Sequence, residues 1–141
     1  MPEDLVPFYS ESARRAIFFS KFEASKLKAS QVEPEHLLLG ILRESAEPLK
    51  KLAGDARIAL EKIRQQFDDL RGSPHPEAEE LPFSSATEEI LRIGAKGRNP
   101  DQSATTIDLL HAMLLGPESR AREALESSGL TLSTLEPHRG L

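Results

Sequence analysis

The sequence predicts an all-α fold, a pseudo-twofold bundle of two four-helix repeats with about eight helices in all. Three observations carry that prediction. An apolar run from Leu37 to Leu42 follows a helix-start signature. Ahead of it, small side chains between Ala13 and Leu27 recur at helical spacing. After a break rich in turn formers, the same features return in the same order.

The first helix begins after Ser10, a residue type that caps helix N-termini well. Ala13, Ala16, Ile17, Ser20, Ala24 and Leu27 then fall on one narrow face. Phe18 and Phe22, four residues apart, lie on roughly the opposite face. Lys28 to Glu33 reads as a loop. Pro34 suits the first position of the second helix, where a missing N–H costs nothing. Glu33 and Glu35 sit where the positive end of the helix favours carboxylates. From Leu37 to Leu42 no polar face exists, so this helix must be buried on most sides. Pro48 opens a short third helix that stops near Gly54. Asp55 caps a fourth, with Ile58, Leu60, Ile63, Phe67 and Leu70 as its apolar positions. Arg71 to Glu80 then reads as a solvated linker, with three turn formers and an acidic run.

The second half repeats the first. Phe83-Ser84 matches Tyr9-Ser10, and Ile90-Leu91 matches Ala16-Ile17, both at an offset of 74. Leu109-Leu110 matches Leu37-Leu38, and Leu114 matches Leu42, at an offset of 72. A loop between helices absorbs a drift of two residues. Pro117 opens the third helix of this copy as Pro48 does in the first. Gly129 ends it, and Thr131 caps a last short helix reaching Leu135. One repeat alone would leave its apolar face wet, whereas two can cover each other. The chain is therefore one domain over 1–141, with repeats at 9–71 and 83–138 and a linker at 72–82.

Composition narrows the function. The 141 residues are 38% hydrophobic and 29% charged, ordinary for a globular chain with a real core. The net charge of −5 and the absence of a basic patch argue against nucleic-acid binding. No apolar run approaches the length of a membrane span, and the N-terminus lacks the pattern of a secretory signal. Cysteine is absent, which removes thiol chemistry and suits a cytoplasmic location.

The stretch Glu35-His36-Leu37-Leu38-Leu39-Gly40-Ile41-Leu42 resembles the signature of the Clp N-terminal domain, which stands in front of the ATPase modules of Clp-type AAA+ unfoldases. That domain is a tandem pair of four-helix repeats. Its repeats open with Phe-Thr or Phe-Ser, here Tyr9-Ser10 and Phe83-Ser84. Its central block is kept at Pro34–Gly40 and has drifted at Thr106–Ala112. Its tail is similar to Leu125-Glu126-Ser127-Ser128-Gly129-Leu130-Thr131-Leu132. The resemblance spans Tyr9 to about Leu135.

No catalytic constellation emerges. The phosphate-cradling pattern G-x-x-x-x-G-K-[ST] is missing, so the chain is either the front module of a longer unfoldase or a module that acts alone. The four histidines, His36, His75, His111 and His138, lack metal-site spacing, and no metal or cofactor is expected. His36 reads as a histidine hydrogen-bonded at a helix start. Ser10 and Ser84 read as caps rather than nucleophiles, since neither has a base at a motif spacing.

Binding is the better reading. In some members of the family, the resemblance implies a pocket for phosphorylated arginine, built from the opening hydroxyl residue and the glutamate before the histidine. Ser10 and Glu35 match those positions. Ser84 matches in the second copy, but Ile107 stands in place of the glutamate, so that pocket is expected to be dead. The family carries small or polar residues where Phe18 and Phe22 stand. Burying such an aromatic against a partner contributes about 1.5–3 kcal/mol when complete, so this pair is a candidate protein interface, including one between two copies. The expected function is recognition of substrate or adaptor proteins for an AAA+ ATPase module, in cis or in trans. A stand-alone dimeric regulator or scaffold derived from that domain is the alternative.

Overall fold

A computed structural model describes residues 4–26, 29–44, 81–99, 101–127 and 129–136. These residues form six α-helices: α1 (Glu11–Lys26), α2 (Pro34–Glu44), α3 (Ser85–Gly97), α4 (Thr106–Leu115), α5 (Arg120–Ser127) and α6 (Leu132–Leu135). A short 3-10 turn at Val6–Phe8 leads into α1. The helices expected from Pro48 and Asp55, and most of the linker, lie outside the described residues.

The all-α expectation holds; the first helix starts after Ser10 and the second runs Pro34–Glu44, as read from sequence, while Leu27, the last position read into the first helix, lies outside the described residues. The centre is built by α2 and α4. Leu37, Leu38, Leu109, Leu110 and Met113 are fully buried, and His36 to Ile41 and Thr106 to Leu114 are buried without a break. Ala13, Ala16, Ile17, Ser20 and Ala24 turn the small face of α1 onto α2. Gly40 explains how closely the two lie. A Cβ there would strike the Ala16 carbonyl oxygen and come within 2.8 Å of the Ser20 nitrogen.

The two halves are tied by main chain. Ser10 N–H donates to Ala104 O, and Ala104 N–H donates to Phe8 O, both at 2.8 Å. At the positions matched by the offsets, Ser84 N–H donates to Val32 O at 3.0 Å and Val32 N–H donates to Pro82 O at 2.8 Å. Each repeat's opening thus pairs in parallel with the residues leading into the other repeat's central helix. A pseudo-twofold relation between the halves requires this reciprocity.

Tyr9 adds a side-chain tie. It is buried, and its hydroxyl donates to the Leu91 carbonyl of the other repeat. Gly94 leaves the space, since a Cβ there would lie 2.6 Å from the Tyr9 oxygen. Burial first, and the Asp108 carboxylate second, push the Tyr9 phenol well above its usual range.

The second half ends as expected, with one correction. Thr131 caps α6 through Thr134 N–H. Gly129 adopts φ +85°, and the Gly129 and Leu130 amides close the end of α5 on Glu126 O and Leu125 O. Pro117, however, does not open the third helix of this copy. That helix starts at Arg120, because the Ser119 hydroxyl accepts the Arg122 amide at 3.1 Å and caps it there. Pro117 belongs instead to the turn after Gly116, whose carbonyl accepts a hydrogen bond from Arg122 Nη1.

Candidate functional site

Glu35 lies on the first turn of α2, and its side chain is only 14% exposed. The Arg120 guanidinium, reaching from the start of α5, stands 3.9 Å from it. Beside it, His36 Nδ1 accepts the Glu33 amide at 2.9 Å, which closes the start of α2. Burial first, and the Arg120 charge second, push His36 down to about 4, so the imidazole is neutral at pH 7.

The matching helix start in the second repeat uses different chemistry for the same task. Thr105 caps α4, and Asp108, the counterpart of His36, accepts the Thr105 amide at 2.9 Å. Ile107, the counterpart of Glu35, is buried. The second helix start therefore presents no carboxylate at that position. A sequence reading could have found this capping box, because Thr105 precedes an acidic residue by three.

Both opening serines serve as caps. Ser10 Oγ accepts the Ala13 amide at 3.1 Å and is half-buried. Ser84 is buried, and its hydroxyl engages both Thr87 N–H, at 3.2 Å, and Thr87 Oγ1, at 2.9 Å. Thr87 Oγ1 in turn donates to Val32 O. The reciprocal pairing decides which opening meets which helix start. It carries Ser84 to the residues ahead of α2 and Glu35, and Ser10 to the residues ahead of α4 and Ile107. The sequence expectation grouped Ser10 with Glu35 inside one repeat; the main-chain bonds of the two openings run across repeats. Nothing local signals this, because the bonds link distant segments. Arg120 escaped the sequence reading for the same reason.

Phe18 is 42% exposed on the outer face of α1. Its ring meets Phe22 edge-on at 5.0 Å between centroids and lies 6.1 Å from Phe19. Phe22 is half-buried. Among the described residues, hollows occur elsewhere too. One cleft of about 160 Å³ between α3 and α4 is lined by Ile93, Gly94, Gly97, Asp108, His111 and Leu115, with His111 Nε2 3.1 Å from Glu136. A shallower groove of about 420 Å³ is lined by Leu114, Arg122, Glu126, Leu130 and Leu132. Among the described residues, no three His, Asp or Glu side chains converge as a metal site, and no helix is long and apolar enough to cross a membrane.

Comparison with known proteins follows this geometry. A family model for the Clp repeat (R) N-terminal domain matches residues 8–99. The chaperone protein ClpB of Oceanobacillus iheyensis is 31% identical over 102 residues, covering 72% of this chain and 11% of that protein. The negative regulator of genetic competence ClpC/MecB of Bacillus subtilis is 38% identical over 65 residues, covering 46% of this chain and 8% of that protein. This chain therefore spans about a tenth of the length of such relatives. The crystal structure of the N-terminal domain of the chaperone ClpD from Arabidopsis thaliana shares the fold, with a TM-score of 0.67 and 23% identity, over 94% of this chain and 92% of that one.

Proposed function

The chain belongs to the Clp repeat N-terminal domain family, and on that footing we propose that it is a recognition module, taking up substrate or adaptor proteins for a Clp-type AAA+ unfoldase without bond chemistry of its own. The ATPase it serves is joined in cis or met in trans. The central helices are spent on packing, which leaves helix starts and outer faces for partners.

The observation that carries this reading is Glu35. It is a largely buried carboxylate at a helix start that already faces a guanidinium, that of Arg120. A carboxylate so placed suits the guanidinium of an incoming arginine, with better geometry and desolvation than a surface pair has. The positive end of the α2 dipole suits a phosphate on that arginine. Phosphoarginine on an unfolded protein is thus the tag proposed for this site. Ser10 and Ser84 are the hydroxyl residues proposed to take part; by main chain Ser84 bonds to Val32, ahead of α2, and Ser10 to Ala104, ahead of α4.

The test is retention of an arginine-phosphorylated unfolded protein by the immobilised chain, against its unphosphorylated form. Preferential retention, lost in Glu35→Gln, supports the tag. Equal retention of both forms removes the tag and leaves general substrate binding. Retention of neither, together with no association with a Clp-type ATPase, removes the recognition role. The exposed Phe18 favours one second reading, a dimeric regulator. A sedimentation mass of twice the chain that reverts to a single chain in Phe18→Ser would support it.

A further inference from the structure

A carboxylate such as Glu35, acting alone, prefers a plain arginine to a phosphorylated one. The plain side chain brings one positive charge, whereas a phosphate adds about −1.5 to −2 and leaves the modified side chain net negative. Glu33, engaged by the Gln31 side-chain amide at 2.9 Å, adds a second carboxylate to the same helix start. The positive end of α2 offsets these by only about half a charge. Main-chain amides there are spent: Glu33 N–H on His36 Nδ1, and His36 and Leu37 N–H on Glu33 O. His36 is neutral at pH 7 and brings no charge.

Arg120 supplies a cation at this place. It occupies the first position of α5, which packs against α2, and its Nη1 lies 3.9 Å from Glu35 Oε2. That distance is outside hydrogen-bond reach, so charge holds the pair. The Arg120 side chain is 63% exposed, so a change of partner leaves the core as it is. A helix start is also the end that disfavours a cation, so the stability of α5 does not by itself call for arginine there.

We propose that Arg120 sets the selectivity of this site by exchanging partners. It pairs with Glu35 as seen here, and an unmodified arginine must displace it and then lie beside a like charge. A phosphorylated arginine gives it a new partner. The ligand's guanidinium takes Glu35, and Arg120 moves from Glu35 to the phosphate. Each charge is paired before and after, so the exchange leaves no carboxylate or cation uncompensated. The inference rests on the reading of Glu35 as a phosphoarginine site, and it names the residue by which that site rejects the ordinary arginines of an unfolded protein.

Fluorescence anisotropy with a labelled peptide tests it. The peptide holds one arginine among Gly, Ser and Ala, and is made with and without phosphate on that arginine. The parent chain should prefer the phosphorylated peptide by roughly tenfold or more, and Glu35→Gln should abolish that preference. Arg120→Gln should weaken the phosphorylated peptide roughly tenfold and tighten the plain one, so the preference is lost or reversed. Arg120→Lys should keep the preference, since lysine also pairs with phosphate as a point charge. Circular dichroism checks that the variants stay folded. An Arg120→Gln chain that keeps the parent's preference overturns the inference and leaves phosphoarginine capture at Glu35 standing. So does weakening of both peptides by the same factor, which is what a purely structural role would give. A parent chain without preference for the phosphorylated peptide, or a preference that survives Glu35→Gln, removes the reading of Glu35 and this inference with it.

Discussion

Replacing Gly40 by alanine adds one methyl group where main chain meets main chain. Built on the present backbone, that methyl collides with the Ala16 carbonyl oxygen, lies 2.8 Å from the Ser20 nitrogen and 3.1 Å from the Ser20 Cα. None of these atoms can rotate away, so α1 must shift as a body. Overpacking of this kind costs about 1–3 kcal/mol, and two close main-chain contacts place it at the upper end. Alanine returns about 1 kcal/mol through its better helix propensity. The net expectation is a loss of about 2 kcal/mol. For a domain of this size that corresponds to roughly 6–10 °C in Tm. Thermal and urea unfolding followed by circular dichroism measure it. A Gly40→Ala protein as stable as the parent, or more stable, would refute the close approach of α1 and α2. Ala112, the counterpart in α4, gives an internal contrast. Ala112 is buried, so Ala112→Gly should show the propensity loss of about 1 kcal/mol together with the roughly 0.8 kcal/mol of one buried methyl group, and no packing gain.

Three other outcomes are expected. Gly94→Ala should destabilise the parent but cost at least about 1 kcal/mol less in a Tyr9→Phe background, because its Cβ conflicts with the phenol oxygen at 2.6 Å while the ring carbon behind lies at 3.5 Å; a double-mutant cycle by urea unfolding measures the coupling. Thr105→Ala should cost about 1 kcal/mol by breaking the capping box with Asp108, read from the urea midpoint at an unchanged m-value. For His36 the folded value of about 4 lies below the ordinary 6.5. Between those values the unfolded chain binds a proton that the folded chain does not. Stability is therefore full above about pH 6.5 and falls by up to about 3 kcal/mol as pH drops towards 4. Asparagine keeps an acceptor for the Glu33 amide without titrating, so a stability–pH profile of His36→Asn should lose that slope.

Local chemistry was readable from the sequence. Ser10, Ser84 and Thr131 announced helix starts by residue type, Pro34 by its fixed φ, and Gly129 by the positive φ that a helix end demands. The buried centre was readable too, since an unbroken apolar run has no other home. Pro117 misled because proline at a helix start and proline in a preceding turn look alike, and a serine two residues on made the stronger cap. Glu35 and Phe18 stood out individually, but their neighbours did not. Arg120 reaches Glu35, and Ser84 reaches the lead of α2, only after the halves have met. Such contacts depend on tertiary geometry, which no spacing in the chain encodes.

The crosswise main-chain pairing has a consequence for how the molecule came to exist and how it comes apart. Each half offers the short edge that the other half lacks, so neither is complete by itself. A lone ancestral unit could have satisfied its edge by clasping an identical unit, and joining the two genes would have made that embrace permanent. The same interlock means that prising open one bridge loosens the support under the other, and the halves should be lost together in a single melting step.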